Sequence, residues 1–139
     1  MDSQKAKALL ASGGYTCVLC KGDSVYTTQK RGVGFLLELL EQGTDVRDFS
    51  AADKVVGKGA AWLYVLLGVR SVYAGVMSKG AAALLAEYRI PAEFERNPDH
   101  IINRAGTGIC PIEQAVADCE NPQQALQTIR QTLARLQSQ

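Results

Sequence analysis

The sequence predicts a single α/β domain, and three observations carry that expectation. Residues 15–20 and 24–29 are rich in β-branched and aromatic side chains and flank the turn Lys21-Gly22-Asp23, the pattern of a β-hairpin. Further on, a strand pattern at 70–77, a helical pattern at 78–88 with Ser78 as its cap and a second strand pattern at 91–95 have the spacing of a right-handed parallel crossover. The chain of 139 residues suits one domain long enough to bury a hydrophobic core.

Each element has its own local reason. Residues 3–11 read as a short helix ended by Gly13 and Gly14. Beyond the hairpin, Gly32 and Gly34 lead into a compact helix over 35–41, stopped by Gly43. Ser50 and Asp53 match a capping box, in which the hydroxyl and the acid each satisfy an orphan donor at a helix start. A helix is predicted from there, and between Val55 and Val69 its one charged side chain is Lys58. A helix apolar nearly all round must be covered on more than one side, as the centre of the domain or as part of a subunit interface.

The strand at 70–77 should be buried, whereas residues 91–95 form a shorter, more polar strand nearer a sheet edge. The loop over 97–109 is long enough to suggest a role. Two helices close the chain. The first spans 111–119. The second takes Asn121 as its cap and Pro122 at its first position, and sets Leu126, Ile129, Leu133 and Leu136 on one face.

Composition narrows the functional classes. With 15 basic against 14 acidic side chains and a net charge of +1, the chain lacks the cationic excess that general nucleic-acid binding draws on. No membrane span is expected: residues 60–69 are too short and run into Arg70. The opening Met1-Asp2-Ser3-Gln4-Lys5 is not a secretory signal, so the four cysteines are expected as reduced thiols of a cytoplasmic protein. Cys17 and Cys20, three apart on a strand, would point to opposite faces and pack in the core rather than form a redox pair.

The element order resembles the cytidine-deaminase fold. Two segments, Asp-Lys-Val-Val-Gly-Lys-Gly-Ala-Ala at 53–61 and Ile-Asn-Arg-Ala-Gly-Thr-Gly-Ile-Cys-Pro-Ile-Glu at 102–113, are similar to a small prokaryotic family of unknown function with that fold. The resemblance spans roughly residues 15–133, and the second segment is the more specific. It implies a three-layer α/β/α sandwich around a mixed sheet of four to five strands. In zinc deaminases one helix start supplies a His or Cys ligand with a nearby catalytic Glu, and the next helix start supplies two cysteines. The corresponding segments, residues 53–61 and 78–81, contain no cysteine, histidine or glutamate. The one histidine, His100, lacks a His-x-Glu context. A catalytic zinc needs three protein ligands. No metal or other cofactor is therefore expected, and zinc-dependent deamination is excluded.

The candidate ligand-binding residues fall in two groups. In the loop, Gly106 and Gly108 permit close backbone approach, Asn103, Arg104 and Thr107 offer polar contacts, and Pro111 leaves Cys110 as a helix cap with Glu113 three residues on. A helix start is a natural anion site. In that setting Cys110 is expected to be more acidic than a free thiol, a candidate nucleophile without an evident base. The second group is Asp53, Lys54, Gly57 and Lys58, on the predicted apolar helix. Capping explains Asp53 in the ordinary way. Lys58 must snorkel out, find a carboxylate or face a pocket. Lys30-Arg31-Gly32-Val33-Gly34 is a lone glycine-rich turn, most simply a solvated basic one.

The expected function is a zinc-free, deaminase-like domain that binds a small anionic or nucleotide-like molecule between the Asp53 helix start and the loop 103–113, in a regulatory role. Two alternatives stand beside it. One is an enzyme of other chemistry, with Cys110 as nucleophile or Asp53 and Lys58 as acid and base. The other is a structural module whose apolar helix builds a homo-oligomer.

Overall fold

A computed structural model of the chain describes residues 2–103 and 105–137. Helix α1 (Asp2–Ser12) leads into the hairpin β1 (Cys17–Lys21) and β2 (Ser24–Thr28), then α2 (Gly34–Glu41). The hairpin closes through Gly22, whose φ of 58° lies in the left-handed region, between the register partners Lys21 and Ser24. Strand β3 (Ser50–Val56), helix α3 (Lys58–Leu67), strand β4 (Ser71–Met77), helix α4 (Lys79–Glu87) and strand β5 (Ala92–Arg96) alternate. Helices α5 (Pro111–Ala115) and α6 (Pro122–Gln137) follow. The five strands form one mixed sheet in the order β2-β1-β3-β4-β5. Strand β1 runs antiparallel to both neighbours, whereas β3, β4 and β5 are mutually parallel.

Residues 50–56 are a strand, and this corrects the capping box and helix start predicted there. The segment lies in the centre of the sheet between β1 and β4, where strands bury both faces and lose the alternation that would mark them. Ser50 to Asp53 then pair along β1 instead of capping a helix. Helix α3 begins at Lys58, and Gly57, extended at φ −91°, is its cap.

Buried side chains form two clusters that alternate along the strands and so lie on opposite sheet faces. Ala6 and Leu10 of α1 meet Val18, Cys20 and Ala52 on one side. Cys17, Leu19, Ala51, Val72 and Ala74 on the other side join the buried residues of α2 to α6. Cys17 and Cys20 therefore take opposite faces, and all four cysteines are free thiols. Helix α3 lies at the centre of the larger cluster, touching α2, α4, α5 and α6. Trp62, Leu63 and Tyr64 are each at most 2% exposed. The chain's own helices cover α3, which removes the ground for reading it as a subunit interface. It stops at Gly68, left-handed at φ 71°.

Ser78, fully buried, caps α4 by accepting from the Ala81 amide at 3.2 Å. Strand β5 forms one sheet edge, all five residues exposed, with Glu93, Glu95 and Arg96 along it. The helix predicted over 111–119 ends at Ala115, where the backbone turns at Val116 and Cys119. Helix α6 starts as expected: the Asn121 side chain accepts from the Gln124 amide at 2.8 Å, and Ile129 is buried with Leu126, Leu133 and Leu136 against the core. Among the described residues no helix is long and apolar enough to cross a membrane.

Candidate functional site

Asp53 stands on the parallel side of the boundary between β3 and the antiparallel hairpin, opposite Cys17 of β1 and Ala74 of β4. Its side chain points to the α3 side. Tyr64, two turns into α3 and fully buried, donates its phenolic hydrogen to Asp53 Oδ2 at 2.7 Å. Cys17 Sγ lies 3.2 Å from the same phenol oxygen. A phenol has one hydrogen to give, so the Cys17 thiol is the donor in that contact. The chain of donation runs Cys17 to Tyr64 to Asp53.

The strand distorts to hold this acid. Asp53 and Ala74 face α3, and so do Val56 and Met77 three residues later, so alternation breaks between them in both strands. At the break the glycine of β4 lies against β3: a Cβ on Gly75 would come 3.0 Å from the Lys54 carbonyl oxygen. Asp53 Oδ1 reaches the Val55 amide at 3.3 Å. Burial raises the Asp53 carboxyl to about 6, against the hydrogen bond from Tyr64, which favours the anion. Burial, reinforced by the neighbouring carboxylate, also pushes the Tyr64 phenol and the Cys17 thiol well above their ordinary values. The arrangement is a proton-exchanging acid with two flanking groups that stay protonated.

The loop after β5 closes on itself. Asn97 Nδ2 donates to the Met77 carbonyl at 2.8 Å, and the Lys79 amide donates to the Pro98 carbonyl at 2.9 Å. Ile102 bridges Ile109, and the Cys110 amide donates to the Ile101 carbonyl at 2.8 Å. Inside that narrow hairpin, the Asn103 amide donates to the Gly108 carbonyl at 2.8 Å. Asn103 Oδ1 takes the Thr107 amide at 3.0 Å, and its Nδ2 donates to Thr107 Oγ1 at 3.2 Å. Gly106, at φ 72°, makes the turn. Asn103 and Thr107 thus shape the turn through each other. Arg104 lies outside the described residues.

Glu113, only 6% exposed, takes the Ile101 amide on Oε2 at 2.6 Å. It also sits against the start of α3, where a Cβ on Gly57 would come 3.3 Å from Oε2 and 3.2 Å from Ile101. Gly57 and Glu113, one from each predicted group, are brought together by the fold, and a carboxylate beside a helix start is favourable. Lys58 does not meet Asp53. Its ammonium donates to the Ala117 carbonyl at 2.8 Å, which removes the pairing of the two as acid and base on one helix. Lys54 is exposed. Cys110 caps α5 without a side-chain hydrogen bond, and that helix is a mere five residues long. His100 is exposed and forms no bond to Cys110. Among the described residues no group of three or more histidine, cysteine, aspartate or glutamate side chains is placed to hold a metal.

Sequence reasoning did not single out Tyr64, and it assigned Cys17 to packing alone. The available signal was Asp53 itself, an acid inside a run otherwise apolar enough for a central strand.

A protein-family model described as a domain of unknown function, DUF1893 (TM1506), matches residues 5–133. No curated protein matches the chain. Among solved structures, a DUF1893 family protein (TM1506) from Thermotoga maritima is similar, with a TM-score of 0.83 and 23% identity over 95% of this chain and 88% of that one. Identity of that order speaks for the fold alone.

Proposed function

The chain belongs to the DUF1893 family, and we propose that it is a zinc-independent, cytidine-deaminase-like domain of three layers that binds a small nucleotide-like molecule through Asp53. The strand order, with an antiparallel hairpin beside three parallel strands, supports the deaminase-like reading. The first four residues of α2 (Gly-Phe-Leu-Leu), of α3 (Lys-Gly-Ala-Ala) and of α4 (Lys-Gly-Ala-Ala) include no cysteine or histidine. Whether α2 and α3 or α3 and α4 are set against the zinc-holding helices of deaminases, these helix starts lack the cysteine and histidine ligands.

The observation that carries the binding reading is the Asp53 carboxyl, raised to about 6 at the border between the parallel and antiparallel parts of the sheet. In open α/β sheets, ligands sit outside the carboxyl ends of strands where the topology switches. Tyr64 and Val55 use part of the acceptor capacity of this carboxyl and leave lone pairs for a ligand's N–H groups. A nucleobase presents such donors on one planar edge. Neighbouring Tyr64 and Cys17 hold the acid in one orientation, which suits recognition without turnover.

The test is thermal unfolding at pH 7 against a panel of nucleosides and nucleoside monophosphates. A ligand should raise the midpoint of the intact protein and leave that of Asp53→Asn unmoved. No stabilisation across the panel, or an equal shift in the variant, would overturn the assignment.

A further inference from the structure

A cleft of about 660 Å³ opens at the amino ends of the parallel strands, on the α1 side and away from the Asp53 site. Its floor is the start of the sheet: Ser50 and Ser71, the first residues of β3 and β4, are register partners there. Strand alternation turns both side chains toward α1, since Ala51 and Val72 point the other way into the larger core. Ser50 is only 3% exposed, yet among the described residues its hydroxyl has no hydrogen-bond partner, and neither has that of Ser71. Neither hydroxyl is sealed from the cleft, so both are free to bond to a molecule within it.

One pair of the charges around these hydroxyls is matched. Lys7 is held by Glu93 at 2.8 Å and lies 4.6 Å above the centre of the Tyr73 ring. Asp2 accepts the Gly22 amide at 3.1 Å. Arg70, next to Ser71 on the rim, is exposed and its guanidinium forms no ion pair or hydrogen bond among the described residues. Two unpartnered hydroxyl donors, with an unpaired arginine on the same lining, complement an oxyanion, which arginine can bind through two parallel N–H bonds. The rest of the lining is partly apolar, with Val72, Pro91 and the Tyr73 ring, and the volume fits a small organic molecule.

We propose that this cleft is a second binding site, which takes the carboxylate or phosphate group of a small organic molecule between Arg70 and the Ser50–Ser71 hydroxyl pair. This site does not rest on the Asp53 reading, because it uses the other face and the other end of the sheet.

Titration calorimetry of the full chain with inorganic phosphate and with benzoate tests it and separates the two sources of the oxyanion. At least one probe should bind saturably at millimolar concentration or better, with affinity falling about tenfold or more in Arg70→Gln and in Ser71→Ala. Arg70 is exposed and Ser71 half-buried at the strand start, and an unchanged unfolding midpoint without probe would show that the variants fold. Absence of binding by both probes up to about 10 mM, or binding undiminished in both variants, would overturn the proposal.

Discussion

The phenol of Tyr64 and the carboxyl of Asp53, 2.7 Å apart, tie the central helix to the central strand by one half-buried hydrogen bond. It is a contact across 11 residues of chain between a central strand and the helix that follows it, and several expectations descend from it.

Asp53→Asn should stabilise the protein in alkali and not in acid. The folded carboxyl titrates near 6 and its ordinary value is 3.8. Below 3.8 both states are protonated and nothing is lost. As pH rises toward 6 the unfolded chain gives up its proton first, and above 6 the folded state carries the full cost of an enclosed anion. The variant should therefore exceed the parent by about 1–3 kcal/mol at about pH 8, with the gap closing near pH 4. Chemical denaturation at the two pH values measures it, and a gap that widens toward acid contradicts the assignment.

Tyr64→Phe keeps the ring and deletes the donor. Removal of one partner from a buried pair costs about 1–3 kcal/mol. The hydrogen bond from Tyr64 favours the charged form of Asp53, so its loss should move that carboxyl further upward. Carbon-detected NMR titration of the side-chain carboxyl would show the midpoint rise above the parent's; a fall would refute Tyr64 as the donor to Asp53.

Two glycines near helix starts should respond in opposite senses to alanine. At Gly59 an added Cβ would overlap Ile112 Cγ2, so Gly59→Ala should cost about 1–3 kcal/mol by forcing α5 away from α3. At Gly80 the nearest atom is Lys58 Cδ at 3.6 Å, an ordinary contact. Gly80→Ala should gain up to about 1 kcal/mol from helix propensity alone. Urea unfolding of the pair checks both, and equal effects would contradict the packing described.

Glu113→Gln retains an acceptor for the Ile101 amide, whereas Glu113→Ala leaves that amide with none. The alanine variant should lose about 1–3 kcal/mol, and the glutamine variant less. Hydrogen exchange at Ile101 should quicken chiefly in the alanine variant; unchanged protection there would mean that the loop is held by its backbone bonds alone.

Local signals made much of this fold legible. The hairpin around Gly22, the cap at Ser78, the edge character of β5 and the start of α6 at Asn121 all depend on residues within a few positions of one another, and each was readable. Residues 50–56 were not, because a strand enclosed on both faces has no period of two, and Ser50 with Asp53 mimics a helix cap. That one misreading placed Asp53 on the wrong kind of element. The grouping of Cys17, Tyr64 and Asp53 was beyond local pattern altogether: Cys17 and Tyr64 are 47 residues apart, and they meet because strand register sets Cys17 beside Asp53 and α3 packs over both. In the loop 103–108, the hydrogen bonds between Asn103 and Thr107 were likewise not legible, because a polar residue's partner is not written in its neighbours.

The small cluster beneath α1 has a dynamic corollary. Ala6 and Leu10 are all that this helix buries fully, against the many side chains that anchor α3. Local opening free energies follow such differences in enclosed apolar contact. The amino-terminal helix should come away first, as a flap that peels from an otherwise intact body. It would take with it the bonds from Cys20 and Gly22 to Asp2, so the tip of the hairpin would loosen in the same event.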